Sequence, residues 1–479
     1  MTLHTPISPI AAGFADVERA AWLALVEKTI KGASLDTLVT HTDEGVAIAP
    51  LYAAGSAAAP AAITAAPRHG ERAWDVRAIV RAVEPSTANR QVRDALSGGA
   101  SSVLVGVDPT GANGVAVGSA AELAAVLDGV MPELATVALD AGFHGVEAAR
   151  WLAAAAKAAP AALLAFHNDP ISAFAAQGAS PGPITAHVAH AANALAPLTQ
   201  TYPKASVFLA GGSVVHEAGG SPAWELGFAS ACAVAYAKAL VAAGMSVDES
   251  FARIVLGFSI DQEPLISIAK LRAARVIWRR ITAASGAETP ARIEARSSRR
   301  MLTVADAWSN LVRLTAAGFA AAAGGADAIV LESHIDAAGE PDDLALRMAR
   351  NTQLILMEEA NVGRVVDPLA GAWSIETLTA DLARAGWAAF TAIEAAGGIV
   401  PALTTGLVAD RAAASRGALA TSLREGGRKI VGVNAFKNAE APPEATPRRP
   451  RATAAPDITL PGAADACPAL TPVRFEEMA

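Results

Sequence analysis

A closed barrel of eight parallel strands with helices packed outside it, the (β/α)8 or TIM-barrel class of α/β folds, is what this 479-residue sequence predicts. Three observations carry the expectation. Short β-branched runs recur from about residue 100, and alanine-rich stretches of helical character separate them. The spacing of roughly 25 to 50 residues leaves room for a crossover helix between successive strands, as parallel pairing requires. Eight such units in one chain favour closure; an open doubly wound sheet is the structural alternative.

The eight runs are SSVLVGV (101–107), TVALDA (136–141), ALLAFHN (162–168), SVFLAGG (206–212), IVLGF (254–258), ARIEARSS (291–298), DAIVLE (327–332) and RVVDPL (364–369). Ahead of them, residues 16–32 predict a helix with Asp16 as N-cap and Gly32 after its last periodic residue. Trp22, Leu25, Val26 and Ile30 fall on one face of that helix. Such a stripe needs cover, either from its own domain or from a partner chain, and its terminal position suits a partner interface. Residues 53–70 are rich in Ala, Pro and Gly without periodicity and read as a connector, giving an arm over 1–70 and a barrel domain over 71–436. Residues 437–479 hold too few large apolar side chains for a core of their own and read as an extended tail or linker, with Arg448, Arg449 and Arg451 solvated.

Composition narrows the function classes. A net charge of -8 gives no electrostatic footprint for nucleic acid or an anionic membrane. Two distant cysteines, Cys232 and Cys467, form neither a disulfide framework nor a zinc cluster, so a reducing, cytoplasmic location is expected. The first residues lack the pattern of a secretion leader, and no run of about 20 strongly apolar residues suggests a membrane span. No phosphate loop follows any strand, GFSID around Ser259 lacks the second glycine of a nucleophile elbow, and His187 and His190 have no carboxylate or thiol beside them to complete a metal site.

One longer stretch is more specific. NTQLILMEEANVGRVVDPLAGAWSIETLT (351–379), preceded by RMAR, resembles the acyl-CoA mutase family typified by methylmalonyl-CoA mutase. Further blocks match that family in order: WLALVEKTIKGASLDTLVTHTDEGVAIAPLY its N-terminal arm, EAGGSPAWELGFASACAVAYAKAL and IAKLRAARVIWRRI the helices after its fourth and fifth predicted strands here, and KIVGVNAF the close of its barrel. The resemblance runs from about residue 20 to residue 435. It implies a barrel through which acyl-CoA threads along the axis, capped by adenosylcobalamin that a separate flavodoxin-like domain holds through a D-x-H-x-x-G histidine. That motif is absent here: DAGFHG places Asp140 and His144 at the wrong spacing, and RFEEMA resembles the connector into that domain, so no cobalamin-binding domain is expected.

The family's active-site positions, carried over by the resemblance, are all changed. Alignment on Glu217, Ala218 and Gly219 puts Ser213 and Val214 at the family's Tyr-His pair, with His216 two residues off. His167 and Gln177 fall where a glutamine and the substrate-gripping arginine stand, Arg296 on a second glutamine, His69 on a tyrosine, and Glu332 and Asp336 on an asparagine and a glutamate. Losing one transition-state donor typically costs about 100- to 1000-fold in rate. The expectation is therefore no catalytic residue, metal or cofactor on this chain. The family's two-chain members pair a catalytic large subunit, which binds adenosylcobalamin, with a homologous non-catalytic small subunit in a one-to-one heterodimer. This chain resembles the latter. The alternative is the substrate-binding chain of a split mutase with its cobalamin domain supplied in trans; a free-standing acyl-CoA-binding barrel is a third reading.

Overall fold

A computed structural model describes residues 13, 17–53, 55–56, 72–437, 446–451 and 455–479. His69, Asp16 and most of the connector lie outside the described residues. A short hairpin, β1 (Thr40–His41) with β2 (Ala47–Ile48), precedes a closed barrel of parallel strands. These are β3 (Asp75–Val80), β4 (Ser102–Gly106), β5 (Thr136–Asp140), β6 (Leu164–Asn168), β7 (Ser206–Gly211), β8 (Ile254–Ile260), β9 (Ile293–Ser297) and β10 (Ala328–Val330), with β10 closing on β3.

Eight strands are present, but not the eight runs read from the sequence. The first barrel strand is DVRAIV at 75–80, and RVVDPL at 364–369 is no strand. Asp75 and Arg77 interrupt the apolar character of the former because they face the barrel interior, where ion pairs accept them. In the latter, Asp367 adopts φ +50° and Pro368 has no N–H to donate to a ladder, so Val365 and Val366 are left exposed. The count of strands therefore shifts by one: helix Pro222–Ala242 follows the fifth barrel strand and helix Pro264–Ala284 the sixth.

The pleat sorts each strand into two faces. Outward residues such as Val103, Val105, Leu139, Phe166 and Phe208 join the main core beneath the helices, while Leu104, Ala138, Ala165 and Val330 form a small separate cluster inside the barrel. The alanine content serves close helix packing. Helix Pro222–Ala242 approaches helix Trp373–Ala395 so tightly that a Cβ on Gly227 would lie 2.6 Å from the Ala389 Cβ and 2.8 Å from the Phe390 nitrogen. Among the described residues Pro222–Ala242 alone is long and apolar enough to cross a membrane, yet 67% of its apolar window is buried in this chain.

The arm lies on the outside. Its helix spans Arg19–Thr29, with Glu18 at the N-cap position, and none of its residues is buried; Trp22, Val26 and Ile30 are largely covered and Leu25 is 62% exposed. Cover from this chain thus reaches three residues of the stripe and leaves Leu25 open. The hairpin behind it is tethered, since Asp43 pairs with Arg428 at 3.0 Å and Glu44 accepts the Ala223 N–H at 2.7 Å.

The tail is extended but not loose. It crosses the C-terminal rim of the barrel, bonding to the loops after six strands: Glu340 donates to the Thr446 carbonyl, and Arg448, Arg451, Leu460, Val473 and Phe475 donate in turn to the carbonyls of Arg81, Thr110, Pro181, Glu217 and Arg300. Arg448 also lies 3.5 Å from Glu340, and Arg451 pairs with Glu84 at 2.7 Å. The expectation of a solvated basic cluster therefore fails for these two residues, because the rim supplies carbonyls and carboxylates at their reach; Arg449 is exposed.

Candidate functional site

Enzymes on this fold carry their chemistry at the C-terminal ends of the strands and the loops beyond them. The ladder register aims Arg77 from β3, Asp140 from β5, His167 from β6 and both Glu294 and Arg296 from β9 into the barrel. Small neighbours, Ala138, Ala165 and Gly257 among them, leave the space that these long side chains fill.

They form a paired ladder across the axis. Arg77 Nη1 donates to Glu294 Oε2, while its Nε reaches Ser102 Oγ at 3.0 Å and its Nη2 Asp75 Oδ2 at 3.1 Å. Arg296 Nε donates to Glu294 Oε1 at 2.6 Å and its Nη1 to Asp140 Oδ2 at 2.7 Å. Burial alone would raise the Glu294 carboxyl, but the guanidinium of Arg296, joined by that of Arg77, outweighs it and holds the group far below the ordinary carboxylate range. Three carboxylates, Asp75, Glu294 and Asp140, thus face the two arginines, Arg77 and Arg296.

His167 sits beside this ladder with φ +46°, its Nδ1 3.7 Å from Glu294 Oε2 and without a hydrogen-bond partner among the described residues. Burial drives its pKa down to about 3, against the pull of Glu294. The unfolded ring takes a proton near pH 6.5 and the folded one only near 3, so the unfolded state holds more protons in between. Stability is expected to fall as pH drops from 6.5 toward 3. His167→Gln should therefore lose less of its thermal midpoint between pH 7 and pH 5 than the parent chain; equal losses would show that His167 is not the source.

Above the ladder a cavity of ≈ 1220 Å³ opens at the C-terminal mouth. Arg81 Nη1 meets Glu332 Oε1 at 2.8 Å, and Asp336 Oδ2 receives Arg299 Nε at 2.9 Å and Arg474 Nη2, from the tail, at 3.3 Å. Seven carboxylates line the cavity, those of Asp108, Asp140, Glu332, Asp336, Glu340, Asp342 and Asp343. Four guanidiniums line it with them, those of Arg81, Arg90, Arg299 and Arg448, and two more, Arg296 and Arg474, pair with Asp140 and Asp336 from beside it, which leaves one net negative charge.

Of the positions picked out in the sequence, Gln177, Glu332 and Asp336 line the cavity, and His167 and Arg296 lie in the axis below it. Ser213 and Val214 open the short helix Ser213–Glu217 on the rim and do not line this cavity; Val214 packs against the core. His216 does not substitute for a substrate donor. It is 1% exposed, its Nε2 sits 2.8 Å from Ser298 Oγ, and Arg300 and Glu225 enclose it. Arg77, Asp140 and Glu294 were not anticipated. Their signal was the alternation of charged with apolar residues in DVRAIV and ARIEARS, which marks charged side chains on the inner face of a buried strand.

A protein-family model described as methylmalonyl-CoA mutase matches residues 55–456. The sequence is 36% identical over 476 residues to the methylmalonyl-CoA mutase small subunit of Streptomyces virginiae, covering 94% of this chain and 75% of that protein. It is 28% identical over 459 residues to the methylmalonyl-CoA mutase of Cereibacter sphaeroides, covering 88% of this chain and 65% of that protein. With the methylmalonyl-CoA mutase small subunit of Propionibacterium freudenreichii subsp. shermanii it shares 30% identity over 388 residues, 78% of this chain and 59% of that protein. The chain thus spans 59% to 75% of the length of these relatives.

Proposed function

This chain belongs to the methylmalonyl-CoA mutase family, and from that premise we propose that it is the non-catalytic small subunit of a heterodimeric methylmalonyl-CoA mutase. Its partner would be a large subunit, bound one to one in the cytoplasm, that holds adenosylcobalamin and interconverts succinyl-CoA and methylmalonyl-CoA. The observation that carries the reading is the filled axis. A CoA ester threading this barrel would have to part Arg77 and Arg296 from Glu294, and removing one partner from a buried ion pair costs about 3–5 kcal/mol.

The mouth argues the same way. An acyl-CoA is a polyanion with a carboxylate of its own, and the cavity offers it no positive excess, since seven carboxylates meet six guanidiniums there. The arginines there are already engaged, Arg81 by Glu332 and Arg299 by Asp336. Nor do these residues fit adenosylcobalamin: the rim that a corrin would cap is crossed by the tail. A split-mutase substrate chain would need an open axis and unpaired donors. What the chain contributes to turnover is then thermodynamic. By binding only the native large subunit it shifts that subunit's folding equilibrium toward the folded state.

Titration calorimetry of the isolated chain with succinyl-CoA tests the reading. No saturable heat is expected at ligand concentrations up to about 1 mM, the regime of interactions near -4 kcal/mol. Stoichiometric binding at about 1 μM would contradict it.

A further inference from the structure

We infer that the outward face of helix Ser309–Ala323, together with the loop over residues 428–436, is the surface on which the large subunit docks. The inference rests on the small-subunit reading and adds to it a location. This helix has two unlike faces. Asn310, Leu314, Ala317 and Ala321 are buried toward the barrel, while Trp308 is 53%, Val312 73% and Phe319 39% exposed. Spacings of four and seven residues put the last three on one stripe.

A solvent-facing helix surface is ordinarily charged. Here the only charged residue from Ala307 to Ala323 is Arg313, and it is turned inward: 8% exposed, it donates to Asn310 Oδ1 at 2.6 Å, to Thr303 Oγ1 at 3.2 Å and to the Val431 carbonyl. The outer stripe is therefore apolar over about three turns with nothing ionic to hold water. That last bond fixes the neighbouring loop against the helix, and Gly432 lies so close to Asp306 that a Cβ there would come within 2.4 Å of the aspartate Cβ. Asn434 pins the loop from within through the Ile430 N–H and the Leu423 and Arg428 carbonyls. In this braced frame Val431 is 48% exposed and Phe436, at φ +48°, 83%.

The area suits a protein surface. Side chains of this size bury roughly 150–250 Å² each when fully covered, so five of them at these exposures present on the order of 500 Å². Contiguous apolar patches beyond a few hundred Å² mark interaction sites, and a stable complex buries about 800 Å² on each side. The remainder lies next door. Arg428, in the same loop, pairs with Asp43 of the arm, whose helix Arg19–Thr29 leaves Leu25 62% exposed. Two apolar faces with uncovered side chains, joined through one braced loop, fit one large partner, and the relatives called small subunits name its kind.

The test is sedimentation velocity of this chain with the large subunit from the same organism, comparing the parent chain, the double variant Trp308→Glu/Val312→Asp, and Leu134→Asp as an exposed apolar site outside the surface. All three are expected to melt at the same temperature alone, because the replaced side chains are mostly exposed. The double variant should bind at least a hundredfold more weakly, and Leu134→Asp as the parent does. Unchanged binding by the double variant would overturn the location while leaving the small-subunit reading intact. Failure of the parent chain to bind the large subunit would overturn that reading and the inference with it. Self-association of the parent chain, lost in the double variant while large-subunit binding persists, would assign the face to a second copy and likewise overturn the proposal.

Discussion

Replacing Glu294 by alanine is expected to destabilise the folded chain by about 3–5 kcal/mol, the usual result of removing one member of a buried ion pair. Glu294 is fully buried and, among the described residues, is the only acceptor shared by Arg77 and Arg296. Without it two guanidiniums face each other inside the barrel, with Asp75 and Asp140 left to answer them from opposite sides. Glu294→Gln keeps the volume and one acceptor and should cost less. Replacing all five members, Asp75, Arg77, Asp140, Glu294 and Arg296, by apolar residues of similar volume should cost less than Glu294→Ala alone, because well-packed apolar side chains often match a buried ionic set. Urea unfolding at pH 7 measures all three; a single-variant loss under about 1 kcal/mol would mean that the ladder does not hold the barrel as described.

The pH dependence separates this group from its neighbour. A carboxyl whose folded pKa is depressed contributes stability that is present above its unfolded value, 4.5, and is lost only as pH falls through the folded one. Glu294 lies far below, so its contribution persists at pH 5. Loss between pH 7 and pH 5 falls instead to the histidines that burial lowers, His167 with its window of 3 to 6.5 and, beside it, His144, His216 and His334, which is why the His167→Gln comparison is needed.

The second large effect is expected at Phe475→Ala, which should weaken the tail's docking by about 3–5 kcal/mol. Phe475 is fully buried, its N–H donates to the Arg300 carbonyl at 3.0 Å, and the Arg300 guanidinium stands 5.5 Å from its ring. Leu470 and Met478 are buried beside it in the same segment, while Arg474 donates to the Arg299 and Leu302 carbonyls. Much of that loss should appear locally, since the segment detaches without unfolding the barrel. At about 1.4 kcal/mol per decade, the detached population rises roughly a hundred- to a thousandfold. Limited proteolysis should then cleave residues 455–479 correspondingly faster at unchanged barrel melting; cleavage at the parent rate would contradict the docking.

The barrel was legible because buried parallel strands announce themselves as short β-branched runs at crossover spacing. The strand at 75–80 escaped because Asp75 and Arg77 serve the interior, and residues 364–369 misled because β-branching was weighed ahead of the Asp-Pro pair that ends any ladder. Of the positions carried over from the family, His167, Gln177, Arg296, Glu332 and Asp336 gather in the axis and at the mouth. What fills the axis was not legible. Arg77 and Glu294 are 217 residues apart, and no local pattern announces a pairing that only barrel closure creates. Where the tail docks was not legible for a similar reason: its own composition cannot build a core, and its Leu470, Phe475 and Met478 borrow one from the rim.

Mutase turnover with added adenosylcobalamin, measured on this chain alone, on the large subunit alone and on the two co-expressed and co-purified, tests the central claim most directly. Activity confined to preparations that contain the large subunit, with stable one-to-one association, is the expected result. Turnover by this chain with only a cobalamin-domain protein added would contradict it, and would mean that the ladder of Arg77, Glu294 and Arg296 opens to admit substrate.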